Sequence, residues 1–112
     1  MFEELIHRPW GTVRWHPQVD LHEDDEAFTI EIDLPGVQAE DIRVLVEGKT
    51  VVIEGRRQLR KCEEGTTHLC ERPDGWFSRA FAFDEAIRDD SIESRWQDGV
   101  LTVTVPKRKI DD

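Results

Sequence analysis

The chain has 112 residues, a length that is typical of one domain with one modest core. Acidic residues outnumber basic residues 25 to 15, so the formal net charge is -10 at pH 7. Because that charge repels phosphate backbones and the apolar runs are only a few residues long, we expect neither a nucleic-acid partner nor a membrane span.

The first segment, residues 1–14, is a short apolar arm. Phe2, Leu5 and Ile6 have near-helical spacing, and Pro9 would end any helix that they form. The arm either packs on the chain's own core or binds other chains, and the sequence favours neither alternative. Acids stand in the arm where a signal peptide has basic residues, so we expect a cytoplasmic protein.

After the arm the period of the sequence changes, and residues 27–33 alternate strictly between apolar and polar, which is typical of a half-buried strand. This pattern predicts strands at residues 27–33, 42–47 and 50–55. Gly48 can take a positive φ and so fits a two-residue hairpin turn between the second and third of these. The basic run that follows, residues 56–61, is expected to be a solvated loop.

A long polar stretch over residues 56–75 interrupts the strand pattern. A connection this long in a compact domain is usually functional or disordered, and residues 67–71 within it resemble a short strand. Cys62, His68 and Cys70 lie close together here, but a zinc site needs about four ligands at short paired spacings, and no Cys-x-x-Cys pair is present. We therefore expect no metal and two plain thiols, with a redox role as the alternative.

The strand pattern resumes at residues 76–83 and 91–96 and closes at residues 100–106. The Asp-Gly pair at 98–99 is a strong hairpin signal before the last strand, and Pro106 ends that strand because proline donates no hydrogen bond. About seven short strands, regular turns and almost no helix predict an all-β, antiparallel β-sandwich.

Two stretches of the sequence resemble the α-crystallin domain of small heat shock proteins, the Hsp20 family. Residues 15–57 resemble the opening half of that domain, and residues 71–107 resemble the closing half. The segments DLPGV, GWFSRAF and DGVLTVTVPK stand in the family's order and at its spacings. The resemblance implies an immunoglobulin-like sandwich over residues 15–107, followed by a short tail at 108–112.

The resemblance also implies an ATP-independent holdase chaperone, which binds partly unfolded client proteins under stress and prevents their aggregation. We expect apolar residues near the N-terminus to supply much of the client contact, and these are Phe2, Leu5, Ile6, Trp10 and Trp15. The sequence holds no nucleotide-binding glycine motif and no G-x-S-x-G elbow, so we expect no cofactor and no enzymatic activity.

For the quaternary structure, the resemblance implies a strand-exchanged dimer, in which each chain lends a loop strand to its partner's sheet. The lent strand would contain His68, Leu69 and Cys70, and Arg79 would form ion pairs at or near the interface. Such an exchange is β-augmentation, because an open sheet edge accepts a foreign strand through main-chain hydrogen bonds. We therefore expect a homodimer or a small oligomer.

In the family, a groove accepts an Ile-x-Ile or Ile-x-Val tail from a neighbour, and the groove residues here would be Val44, Val46, Ile92 and Trp96. This chain's tail has Ile110 alone, so we do not expect a tail-locked cage, although another small heat shock protein could fill the groove. The alternative function is an interaction module of the p23/CS type, which shares the sandwich and docks on a specific folded partner. The segment DGVLTVTVPK and the long loop favour the chaperone.

Overall fold

The structure is a computed structural model that describes residues 2–5, 15–58 and 65–109. In these ranges the chain forms eight strands and a short 3-10 turn, Ala39–Asp41, which confirms the predicted all-β class. The strands in chain order are β1 Phe2–Leu5, β2 Val19–Glu23, β3 Ala27–Asp33, β4 Ile42–Glu47, β5 Thr50–Arg57, β6 Gly75–Phe83, β7 Glu93–Gln97 and β8 Val100–Pro106.

The strands form two antiparallel sheets of four, in the orders β1-β6-β5-β4 and β2-β3-β8-β7. The core lies between the sheets, and its side chains come mainly from the inner faces of the four central strands. These central core residues are Phe28, Ile30, Ile32, Val51, Ile53, Phe77, Phe81, Phe83, Leu101, Val103 and Val105. The predicted antiparallel sandwich is therefore confirmed.

Alternation along the central strands produces this core directly. Along β3 and β8 every second residue is buried, because successive side chains of a strand point to opposite faces. The turn between β7 and β8 has positive φ at both Asp98 (56°) and Gly99 (77°), as a two-residue type I′ hairpin requires. Gly48 also has a positive φ of 60° between β4 and β5, so both predicted hairpins form.

The near-helical spacing of apolar residues at the N-terminus does not produce a helix at Phe2–Leu5. Phe2–Leu5 is strand β1, which pairs antiparallel with β6 in a register that sets Phe2 opposite Phe83. One turn of helix is costly to nucleate, whereas β6 offers a row of main-chain partners to an extended segment. None of the described residues belongs to a helix long and apolar enough to cross a membrane.

Strand β2, Val19–Glu23, was not predicted, because its apolar alternation is confined to Val19 and Leu21. It forms by pairing with β3, with Val19 opposite Ile32. Residues 67–71, the strand-like segment of the long loop, form no strand within the single chain.

Candidate functional site

A groove opens between β4 and β7, which are outer strands of the two sheets. Its volume is about 480 Å³. The lining residues are Ala39, Ile42, Val44, Val46, Asp89, Ile92, Ser94, Trp96 and Leu101. The structure therefore brings together all four residues that the sequence placed in a groove, Val44, Val46, Ile92 and Trp96.

The groove is apolar because the inner face of β4 continues past the closed core. Ile42, Val44 and Val46 lie opposite buried positions of β5 and so share their inner face. These three side chains stay only partly buried, as do Ile92 and Trp96 from the other side. An extended segment with apolar side chains at alternate positions would fit such a groove and remove that surface from water.

The residues predicted for strand exchange lie on the loop before β6. Residues 65–71 are all exposed, and Leu69 is 74% exposed, which is exceptional for a large apolar side chain among the described residues. His68 and Cys70 flank it, and Cys70 is a free thiol. Cys62 lies outside the described residues, and the part of the chain that the structure describes holds no cluster of three or more possible metal ligands.

Arg79 lies inside the sandwich rather than on the loop. Strand β6 sets it on the inner face with Phe77 and Phe81, where it is 8% exposed. Its guanidinium donates a hydrogen bond to the main-chain carbonyl of Pro17, and its carbon Cζ lies 5.7 Å from the centre of the Phe81 ring. Because Pro17 stands just before β2, Arg79 fixes the start of that outer strand.

The five apolar residues predicted for client contact lie only partly within the described residues. Phe2 and Leu5 lie on strand β1, while Ile6 and Trp10 lie outside the described residues. Trp15 is half-buried, and its ring packs edge-on against Phe77 at 5.2 Å between ring centres. Trp15 is therefore held by the domain.

Arg57 contacts three other segments of the chain at the base of the long loop. Its Nε donates to the carbonyl of Pro73 at 2.9 Å, and its Nη1 donates to the carbonyl of Pro35 at 3.2 Å. Its guanidinium also lies over the Trp15 ring, 3.9 Å from the ring centre. Burial lowers the pKa of the Arg57 guanidinium, and the positive charge of Arg72 lowers that pKa further.

The expectation that residues 56–61 form a solvated loop is wrong for Arg57, which is 5% exposed. Strand β5 continues two residues beyond the predicted end at Gly55, so Arg57 falls on the inner face with Ile53. The signal was the two-residue period itself, which reaches Arg57 when it is extended past the glycine. Arg56, on the other face, lies over the Trp76 ring at 5.3 Å.

Two ion pairs connect the residues after β8 to the last residue of β2 and to the turn that follows it. Lys107 Nζ lies 2.7 Å from Glu23 Oε2, and Lys109 Nζ lies 2.7 Å from Glu26 Oε1. The hydrogen bond between Lys107 and Glu23 lowers the pKa of the Glu23 carboxyl and raises the pKa of the Lys107 ammonium. Ile110, the apolar anchor expected in the tail, lies outside the described residues.

Comparison with known sequences gives one family. The profile of the Hsp20/alpha crystallin family matches residues 20–112. The spore protein SP21 of Stigmatella aurantiaca (strain DW4/3-1) is 38% identical over 111 residues, which cover 94% of this chain and 66% of that protein. The 17.6 kDa class I heat shock protein 1 of Arabidopsis thaliana is 41% identical over 92 residues, which cover 80% of this chain and 59% of that protein. The chain thus spans less than two thirds of the length of these curated relatives.

Solved structures of similar proteins have the same fold. A small heat-shock protein from Xylella fastidiosa superposes with a TM-score of 0.80 at 31% identity, over 89% of this chain and 93% of that one. Heat shock protein 16.0 from Schizosaccharomyces pombe superposes with a TM-score of 0.78 at 31% identity, over 88% of this chain and 94% of that one. The sandwich described above is therefore shared with both structures over most of their length.

Proposed function

This chain belongs to the Hsp20/alpha crystallin family, and on that premise we propose that it is an ATP-independent holdase that binds partly unfolded proteins and prevents their aggregation under stress. The small heat shock protein relatives support a chaperone role. The observation that carries the finer proposal is the β4–β7 groove, whose apolar lining is only partly buried. We propose no catalytic role and no cofactor, and a cytoplasmic location.

The groove can bind a client without an energy source because its contacts depend on apolar surface and main-chain groups rather than on a particular sequence. Burying one apolar side chain completely is worth roughly 1.5–3 kcal/mol, so a few such contacts give weak, reversible binding. The outer strands β4 and β7 add main-chain donors and acceptors, which bind any extended sequence. Clients are therefore selected by exposed apolar residues in an extended segment, a condition that unfolded chains meet and folded proteins do not.

A suppression assay tests the holdase. Light scattering of several unrelated, heated client proteins is recorded without ATP, with and without this protein. We expect Val46→Lys, which places a charge in the groove, to weaken protection several-fold. Leu45→Lys is the matched control, because Leu45 lies on the same strand and opposite Val52, on the other face.

The proposal fails if the parent protein protects none of these clients, and that result would favour a docking module of the p23/CS type. If both lysine variants protect equally well, the groove is not the surface that binds the client. Circular dichroism of each variant shows whether the sandwich is intact, so that loss of the fold is distinguished from loss of the site.

We further propose a homodimer built by strand exchange, with residues 67–71 pairing with the partner's β2. What supports this pairing is the 74% exposure of Leu69 on a segment without a strand partner in its own chain, together with the position of β2 at the edge of its sheet. Arg79 contributes by fixing Pro17 at the start of β2. Other small heat shock proteins remain further candidate partners.

The exchange is tested by a change that a folded monomer would tolerate. Leu69→Pro removes a main-chain donor from the lent strand, whereas Thr66→Pro makes the same change just outside it; both positions are exposed. We expect multi-angle light scattering to show monomers for Leu69→Pro and dimers for Thr66→Pro. Dimers in both variants would contradict the exchange.

A further inference from the structure

Asp89 is the one charged residue among the described residues that line the β4–β7 groove. The rest of this lining is apolar apart from Ser94, which is neutral. Asp89 is exposed, and its carboxylate forms no hydrogen bond or ion pair with the residues that the structure describes. Arg88 and Arg108 line a neighbouring recess to which Asp89 also contributes, but neither forms an ion pair with it. The groove therefore presents a carboxylate that no residue in the described part of the chain pairs with.

The connectivity places Asp89 at one end of the groove. The preceding residue, Arg88, donates its main-chain N–H to the carbonyl of Pro106 at 2.8 Å, so this segment lies beside the end of β8. Trp96 pairs with Leu101, near the start of β8, and so lies toward the opposite end of the groove. The groove is thus apolar along its length and negatively charged at one end.

An extended polypeptide can satisfy both features of the groove. Its alternate side chains point the same way and lie about 7 Å apart, so apolar residues at alternate positions would contact walls such as Val44, Val46 and Ile92. A residue that continues this face beyond the apolar ones comes to the Asp89 end. A lysine or arginine there gains a carboxylate partner, whereas an acidic residue is repelled.

We infer that Asp89 makes the groove selective for extended client segments in which a lysine or arginine flanks alternating apolar residues. This inference rests on the proposed holdase function and names the class of client segment that the groove prefers. Charge complementarity supports this occupant, because the chain's net charge of -10 also attracts cationic segments from a distance. The chain's own residues after β8 fit less well, since they offer one apolar residue, Ile110, and two acids follow it.

Binding of two matched peptides to the full chain tests this selectivity. Both peptides carry isoleucine at three alternate positions separated by serine. One has lysine two positions beyond the isoleucines at each end, and the other has glutamate there, so the direction of binding does not matter. Fluorescence anisotropy of the labelled peptides gives each Kd at physiological salt. The test variant is Asp89→Asn. Asp90→Asn is the matched control, because Asp90 is the adjacent exposed carboxylate and is not among the described residues that line the groove.

We expect the parent to bind the lysine peptide about threefold or more tightly than the glutamate peptide, which is the scale of an exposed ion pair. Asp89→Asn should reduce this ratio to below about 1.5, whereas Asp90→Asn should keep it. Asp89→Lys should invert the preference. An equal ratio in Asp89→Asn and the parent would overturn the inference, because the preference would then come from the net charge of the whole chain. Equal binding of both peptides by the parent would overturn it as well.

Two further measurements distinguish failure of this inference from failure of the holdase. Val46→Lys should weaken the binding of both peptides; if it does not, the peptides bind outside the groove and the inference is wrong. Suppression of client light scattering by the parent tests the holdase independently of the peptide ratio, and no suppression would refute the client as occupant. A peptide of residues 107–112 that binds more tightly than the lysine peptide would show that a second copy fills the groove, and the client assignment would be wrong.

Discussion

Replacement of Arg57 by methionine is the sharpest test of how the base of the long loop is held. Methionine keeps most of the apolar stem and removes the guanidinium, which donates to the carbonyls of Pro35 and Pro73 and lies over the Trp15 ring. Hydrogen bonds to a charged group contribute about 1.5–3 kcal/mol each, and a cation–π contact adds about 0.5–2 kcal/mol. The same burial that lowers the pKa of Arg57 offsets part of this gain. From the lost hydrogen bonds and cation–π contact, less the cost of burying the charge, we expect Arg57→Met to lower the free energy of unfolding by about 2–4 kcal/mol.

Urea unfolding followed by circular dichroism at one fixed protein concentration measures this loss, since dimer formation would otherwise change the apparent stability. In a thermal scan the same loss corresponds to a fall of about 8–17 °C in Tm. Arg56→Met is the matched control: Arg56 is the adjacent residue on the opposite face, only partly buried, and we expect a change below about 1 kcal/mol there. If the two variants unfold at the same urea concentration, Arg57 does not hold the loop base.

Three further outcomes follow from the described contacts. Arg79→Ala should lower Tm by about 10 °C by removing a buried charged donor, and Arg79→Lys should recover part of that; an unchanged Tm would show that the bond is not needed. Gly55→Ala should cost about 1–3 kcal/mol or more in urea unfolding, because a Cβ there would stand 2.2 Å from the Asp41 carbonyl oxygen; parental stability would contradict this crowding. Glu23→Gln should lower Tm slightly near neutral pH. The Glu23 pKa is lowered from 4.5, so the stabilisation by Lys107 is present above that value and is lost as pH falls through the lowered pKa. The Tm of the parent and the Tm of Glu23→Gln should therefore converge in acid. A difference in Tm that stays constant with pH would refute the pairing.

The central strands could be predicted from the sequence because the alternation of apolar and polar residues is visible within each strand. Along Ala27–Asp33 and Val100–Pro106 the apolar residues alternate strictly, and the Asp-Gly pair at 98–99 has the chemistry of its turn. The outer strands β1 and β2 were harder because they are short and weakly patterned. Their conformation depends on the neighbour with which they pair, which no local period reveals.

The candidate groove could be placed from the sequence only through the family resemblance. Residues such as Val44 and Trp96 are far apart in the chain, and their meeting at one groove depends on the sheet order. The place of Arg57 is hidden for the opposite reason, because a run of basic residues is typical of a solvated loop although strand alternation separates its first two members. Strand exchange involves a second chain, so the sequence and fold of one chain do not determine it. The exposure of Leu69 supports the exchange.

A holdase has to expose surface that binds unfolded chains and still limit uncontrolled association between its own copies. This chain separates the two demands by location. Five apolar residues that stay partly exposed line the groove between β4 and β7, while these two outer strands also carry charges. With a net charge of -10, copies repel at long range, but an unfolded segment that carries few charges does not experience that repulsion. The Debye length is about 8 Å at physiological ionic strength, so salt weakens the repulsion between copies much more than it weakens apolar contacts within the groove. The balance between client capture and self-association is therefore set by two separable forces.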